Sequence, residues 1–472
     1  MNLTDRMGIV QVELGRGTTV SIHRFKSIAL ASVVALAAPG AAFAVQQGPV
    51  PAASSVPSIS LPSAGTVAAL YNQYKLQPIW FKNGAPTVAV TQLTQILRRA
   101  RLDGLGNGPE LAAQVEQAVR QASTGSPADK AAAEQMLSST WVLYVQTVKR
   151  PTPGMIYQYD VLKPQGNRPD QILLAASSAP SLEAHLSSVA AVNPVYSKIR
   201  DAEWARMQQT GTLDPDPRAV MNLERARSIP SKGRFVLVDS GSQRLYLYEN
   251  GQAVDSMKVI VGMKERPTPM ISSVMYYIVY NPYWNAPDHL VRGPIATKTL
   301  AGGMKYFKAK MGYQVMADWT ANSATIPAES INWKDVQSGK VRLRIRQDPG
   351  PENFMGVLKY PFPNPEDIYL HDTSTPEHFK DADLHQSNGC VRLEDAKRFG
   401  RWLLGGREPV APGSDPEIQV QVQQPVPIIL TYLTAQPTAS GLTYLKDVYG
   451  WDRPGAAQMA AAEMAASRVP RD

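Results

Sequence analysis

Cys390 is the only cysteine in a chain of 472 residues, and His371 stands nineteen positions before it, at the end of the apolar run Ile368-Tyr369-Leu370. A thiol with an imidazole in reach is the minimum equipment for nucleophilic catalysis. The histidine takes the thiol proton, the sulfur attacks a carbonyl, and a thioester carries the acyl group to an acceptor. The bland alternative is a small buried hydrophobe. Gly389 before the cysteine permits a backbone turn that a larger residue would resist. After it, Leu393, Ala396, Phe399, Trp402 and Leu403 recur at helical spacing. That pattern predicts a helix starting just beyond Cys390, whose N-terminal dipole would favour thiolate while Glu394 and Asp395 oppose it. The sign of the net effect stays open. A metal site is the rival chemistry, since His371, Asp372, His378, His385 and Cys390 crowd into twenty residues. Their spacings match neither a helical His-x-x-x-His nor a paired-cysteine site, so no metal and no cofactor is expected.

The rest of the chain must position that pair. His23-Arg24-Phe25-Lys26, the apolar stretch Ile28 to Ala38 and Ala42-Phe43-Ala44 read as an export signal over residues 1–44, which predicts a periplasmic, wall-associated protein with no stable membrane span after cleavage. In an exporting compartment cysteines normally pair, so an unpaired one asks for a chemical reason. Residues 45–64 have too few large apolar side chains to pack and read as a flexible linker. Over 65–211 the apolar period is helical, with Leu93, Ile96 and Leu97, then Leu111 and Val115, then Leu137, Trp141, Tyr144 and Val148. A connector follows at 212–232. From Arg234 the period becomes two, in Arg234 to Val238, Arg244 to Tyr248, Lys258 to Val261 and Val274 to Tyr280, with Asn250-Gly251 as a hairpin turn. The expected architecture is α+β and multidomain: a helical scaffold domain, then a mostly β catalytic domain over 233–407 with one active-site helix. Residues 408–454 extend that domain, and 455–472 read as a flexible tail. Residues 300–338 read as a long lid-like insertion, the kind of loop that binds or covers. The net charge of +8 favours anionic partners, but no long Lys/Arg run points to nucleic acid.

The motif His371, then after a gap Ser387-Asn388-Gly389-Cys390-Val391-Arg392, resembles the catalytic signature of the L,D-transpeptidases of the YkuD type. Asn388 stands where that family often has histidine. Asn222-Leu223-Glu224-Arg225, Arg266-Pro267-Thr268-Pro269, Arg346 to Pro351, His371-Asp372-Thr373 and Val448 to Asp452 are similar to the large Gram-negative, YcbB-like branch. The resemblance covers about residues 65–452. It implies that Cys390 attacks the third residue of a peptidoglycan stem and expels D-Ala. His371 acts as base and acid, and the Asp372 backbone carbonyl orients it, with the Asp372 carboxylate as the competing orienter. It also implies Gly389 and Cys390 N–H groups as the oxyanion hole. A side-chain amine of a second stem would resolve the thioester into a Dap–Dap cross-link. Arg392 reads either as holding a substrate carboxylate or as one half of a structural ion pair. Ser387, Asn388 and Tyr369 are expected to contact substrate. Partners implied are donor and acceptor stem peptides, with other cell-wall synthesis proteins beside them, and carbapenems are implied as acylating inhibitors. Two readings compete: a carboxypeptidase or endopeptidase in which water replaces the amine, and a catalytically silent wall-binding scaffold. One departure stands out. The branch's peptidoglycan-binding module has no room between Gln209 and Met221.

Overall fold

The computed structural model describes residues 59–466 except 321, 439 and 440. The expected signal and most of the expected linker lie outside the described residues. Among the described residues, seven α-helices dominate the first half: α1 (Ala64–Tyr74), α2 (Val88–Arg98), α3 (Gly108–Thr124), α4 (Pro127–Val148), α5 (Pro169–Ser177), α6 (Leu182–Ala191) and α7 (Pro194–Thr210). Their starts are written in the sequence. Ser126 before α4 accepts from the Asp129 N–H at 3.3 Å while the Asp129 carboxylate accepts from the Ser126 N–H at 2.7 Å, with Pro127 at the first helical position. Leu93, Leu97, Val115, Leu137, Trp141 and Tyr144 share one apolar core, as their spacing predicts. Among the described residues no helix is long and apolar enough to cross a membrane.

The connector holds a helix of its own, α8 (Pro217–Ala226). Beyond it lies a β domain. Its strands are β2 (Phe235–Asp239), β3 (Arg244–Glu249), β4 (Gln252–Gly262), β5 (Ile271–Tyr280), β10 (Leu358–Pro361), β11 (Tyr369–His371), β12 (His385–Ser387), β13 (Val391–Leu393) and β14 (Ile418–Thr431). The neighbour order β10-β11-β13-β4-β3-β2-β14-β5 returns on itself because β10 also pairs with β5, so the sheet closes into a barrel. The scaffold half contributes the short strand β1 (Ile156–Tyr157), which pairs parallel to β5 with Ile156 opposite Ile271. Side chains alternate across β2. Val236 and Val238 enter the barrel core, which α11 (Ala396–Leu403) plugs with Phe399 and Leu403. Phe235 and Leu237 face a second core shared with Tyr196 and Ile199 of α7, Leu223 of α8, and Tyr432, Tyr449 and Trp451.

Two expectations change here. The region read as a lid at 300–338 is a packed subdomain that begins at Trp284 and ends at Gln347. It carries β6 (Trp284–Asn285), α9 (Ala296–Met304), β7 (Tyr313–Met316), β8 (Thr325–Ile326), α10 (Trp333–Gln337) and β9 (Arg344–Gln347). Its sheet runs β8-β7-β9-β6, over a core of Val291, Phe307, Val315, Trp333, Val336 and Ile345. The second concerns the tail. Residues Ala456–Ala466 form a helix, α12, because an Ala-rich run loses little side-chain entropy on coiling and Ala456 is buried in the second core.

Candidate active site

The register between β11 and β13 brings the distant motif halves together. The two strands run parallel with Leu370 opposite Val391 and His371 opposite Arg392. Leu370 and Val391 are fully buried in the barrel core. Alternation therefore sends their neighbours Tyr369, His371, Cys390 and Arg392 to the other face. Strand β10 adds Lys359, whose Cα partner across the antiparallel pair is His371. All five line one cavity of about 910 Å³, a size ordinary for a small-ligand site. Its far wall is aromatic, built by Trp284, Tyr306 and Tyr313 of the inserted subdomain together with Phe354. The subdomain thus forms a wall of the candidate site.

His371 is buried, and its Nδ1 donates to the Asp372 carbonyl oxygen at 2.6 Å. That bond fixes the tautomer and leaves Nε2 as the proton acceptor. Burial pulls the imidazole down from its usual value to about 3, and the nearby Arg392 and Lys359 cations pull the same way. The Asp372 carboxylate points elsewhere: it accepts from the Val357 N–H at 3.0 Å. A side chain at Gly356, where φ is +61°, would collide with it. Cys390 is half-buried at the cavity wall, with Sγ 3.7 Å from the Asp367 carbonyl oxygen. Burial pushes the thiol up, while bonds from Tyr369 and the Lys359 and Arg392 cations act in the opposite direction. Burial therefore disfavours the charged form of both groups. The Tyr369 ring meets the His371 ring edge-on at 5.8 Å and carries Lys359 Nζ 4.5 Å from its centroid.

Several sequence-based expectations are corrected. Cys390 does not precede a helix; it precedes β13, and the helix α11 begins only at Ala396, capped by Asp395 accepting from the Arg398 N–H at 2.9 Å. The helix dipole therefore does not act at the sulfur. The Gly389 N–H, expected in the oxyanion hole, donates instead to Ser387 Oγ at 3.1 Å, which leaves the Cys390 N–H as the candidate. Ser387 edges the cavity, and its hydroxyl is engaged there and by donating to the Cys390 carbonyl at 2.6 Å, so it braces the turn. Asn388 is exposed on the cavity rim, where Oδ1 accepts from Arg266 at 2.6 Å and lies 3.2 Å from His289 Nε2. Arg392 lines the cavity, where burial works against its charge. His378 and His385 do not line the cavity, and no group of three or more His, Cys, Asp and Glu side chains converges on a metal-sized site among the described residues.

Two residues of the site carry no signal in the motif. Lys359 reaches it only through strand register. Thr268 is buried behind the turn that carries Cys390: Oγ1 donates to the Gly389 carbonyl at 2.7 Å and accepts from the Gly262 N–H at 2.8 Å. Its main-chain N–H donates to Tyr449 Oη at 3.3 Å, and that hydroxyl donates to the Gly262 carbonyl at 2.6 Å. The Arg266-Pro267-Thr268-Pro269 run marks the loop, but nothing in it says that the hydroxyl reaches Gly389. Gly389 itself has φ +115°, so a larger residue there would strain the turn and press on the Ile368 side chain.

Comparison with known proteins adds to this geometry. Residues 233–428 match the model of the YkuD family, described as an L,D-transpeptidase catalytic domain, and residues 65–202 match a Scaffold domain. The chain is 25% identical over 396 residues to a Haemophilus influenzae protein named "Putative L,D-transpeptidase", covering 82% of this chain and 78% of that protein.

Proposed function

Since the chain belongs to the YkuD L,D-transpeptidase family through residues 233–428 and carries a Scaffold domain before them, we propose that it joins peptidoglycan stems by Dap–Dap cross-links through a thioester on Cys390. The observation that carries this reading is the placement of Cys390 and His371 on one cavity wall, with Nδ1 of the histidine tied to the Asp372 carbonyl. As the sulfur attacks the carbonyl of the third stem residue, the S–C bond forms and Nε2 of His371 takes the thiol proton. The tetrahedral oxyanion is met by the Cys390 N–H. Collapse breaks the bond to the terminal D-Ala, whose amine leaves with the proton from His371. A side-chain amine of a second stem then attacks the thioester, transfers its proton to His371, and releases the thiol as the amide forms.

Arg392 and Lys359 would hold stem carboxylates, the first through a planar fork and the second as a point charge. The aromatic wall would cover the apolar parts of the stems. An enzyme acting on this polymer belongs where the polymer is, which agrees with export to the periplasm by residues 1–44. The test is incubation of the purified protein with disaccharide-tetrapeptides containing diaminopimelate, followed by mass spectrometry. Cross-linked dimers with loss of D-Ala are expected, and Cys390→Ala abolishes them. Tripeptides alone would mean that water is the acceptor and that the protein is a carboxypeptidase.

A further inference from the structure

The loop between β10 and β11 forms one lip of the catalytic cavity, which Asn364, Glu366, Asp367 and Ile368 line. Asn364 closes that loop with its own side chain. Its Oδ1 accepts from the Glu366 N–H at 3.1 Å and the Ile368 N–H at 3.0 Å. Its Nδ2 donates to the carbonyls of Phe362 at 2.8 Å and Ile368 at 2.7 Å. Both lone pairs and both protons of the amide are thus spent on the loop backbone. Between the two N–H groups that Oδ1 holds stands Asp367, whose φ of +52° lies in the left-handed region. An aspartate adopts that conformation at a cost, and it persists where the surrounding bonds impose it. The result faces Cys390. The Asp367 carbonyl oxygen lies 3.7 Å from Sγ, and the next residue, Ile368, sets its side chain 3.2 Å from where a Cβ on Gly389 would stand. Consecutive residues of the lip therefore meet consecutive residues of the turn that carries the nucleophile.

We infer that Asn364 is a positioning residue whose loop holds the thiol proton of Cys390 in the free protein: the S–H donates to the Asp367 carbonyl until substrate enters, then turns about the Cβ–Sγ bond towards Nε2 of His371. The inference rests on the nucleophile and export readings given above. A carbonyl oxygen accepts from a thiol and repels a thiolate, so the contact favours the neutral sulfur. Burial of the sulfur acts in the same direction. The arrangement supplies a reason for tolerating a lone cysteine in a compartment where cysteines normally pair. Thiolate, and not thiol, is the form that oxidises. It attacks one oxygen of a peroxide, the O–O bond breaks, and sulfenic acid and hydroxide form. Keeping the proton on the sulfur slows that loss and leaves the imidazole free to act when a stem arrives. An S–H···O bond is weak, which suits a contact that substrate must displace.

Two measurements on the full chain test this. With a single cysteine the chain has a single S–H stretching band in the infrared, and in the unaltered protein that band is expected at the lower frequency of a donating thiol. A band at the position of a free thiol overturns the inference without any variant. The second measurement is the pH profile of Cys390 alkylation by iodoacetamide, whose midpoint reads the thiol ionisation. Asn364→Ala is expected to lower the midpoint by about half a pH unit, about threefold more thiolate at fixed pH, and to speed sulfenic acid formation by hydrogen peroxide by about the same factor. Asn364→Ser, whose hydroxyl makes such turn contacts more weakly, is expected to shift it less. Asp367→Asn keeps the main-chain carbonyl and tolerates positive φ while removing the carboxylate, so its midpoint is expected to stay. The other groups on this wall, Lys359, Tyr369, His371 and Arg392, are the same in every variant. An unchanged midpoint in both Asn364 variants overturns the inference. So does an equal fall in Asp367→Asn, which would make the carboxylate responsible, or a rise in the high-pH plateau rate, which would mean that the loop merely opened. The expected shift with no dimers formed from tetrapeptides would instead overturn the catalytic reading alone.

Discussion

The depressed imidazole of His371, on the cavity that Cys390 also lines, has a pH consequence. kcat/KM reports free-enzyme ionisations, and His371 stays unprotonated down to about 3. Acylation of Cys390 by a carbapenem should therefore keep its rate through the range in which an ordinary histidine, near 6.5, would protonate. Stopped-flow profiles check this, and an acid limb at 6.5 would count against it. Arg392→Met removes one of the cations that hold the imidazole down, so the acid limb moves up in pH. The stability linkage has the same sign: the unfolded state binds a proton at His371 near pH 6.5 and the folded state only near 3, so stability falls as pH drops through that window. Thr268 is the second case. Its hydroxyl fixes the peptide that joins Gly389 to Cys390, so Thr268→Val should lower kcat about tenfold to hundredfold with KM little changed, while Thr268→Ser restores most of it. A loss that Ser fails to rescue would make the methyl packing, and not the hydroxyl, responsible. The motif reveals Cys390, His371 and Arg392 because they lie close together along the chain. Thr268 bonds across 121 positions, and no local pattern encodes that distance.

Secondary elements were legible where a single period persisted, and misread where two periods fit the same residues. Leu393, Ala396 and Phe399 are spaced as a helical face, which drew the predicted helix back towards Cys390. Val391 and Leu393 also alternate, and pairing of Leu370 with Val391 and of Leu393 with Val259 secures that alternation in the barrel. Tertiary pairing decided between them. The inserted subdomain was misread for another reason: its strands are two to four residues long, too short to show a period. Its separate core predicts separate stability. Phe307→Ala should cost that core about 3–5 kcal/mol and open residues 284–347 to hydrogen exchange while β2 to β5 stay protected. Because Trp284, Tyr306 and Tyr313 wall the cavity, substrate KM should rise in parallel. Uniform loss of protection across the barrel would show that the subdomain has no independent stability.

At the scale of the molecule, helical half and barrel are joined by more than a connector. Strand β1 adds to the barrel from the scaffold side, and the second core draws on α7, α8, β2 and the C-terminal aromatics alike. Helix α8 is the clasp. Asn222 Oδ1 accepts from the Thr434 and Ala435 N–H groups at 2.7 and 3.0 Å, and buried Arg225 pairs with Asp452 and the Trp451 carbonyl. The same C-terminal segment supplies Tyr449, which holds Thr268 and so the turn that carries Cys390. Removing one partner of a buried pair leaves the other charge uncompensated, at a cost of about 3–5 kcal/mol. Arg225→Ala should therefore destabilise both halves together in calorimetry, and below the melting range it should also slow Cys390 acylation, although Arg225 lies on α8, outside the cavity lining. Two separated unfolding transitions would contradict this. Asn222 and Arg225 then owe their place in the Asn222-Leu223-Glu224-Arg225 segment to what they hold across 212 and 227 positions: the Thr434 to Asp452 segment, whose Tyr449 holds the loop behind Cys390.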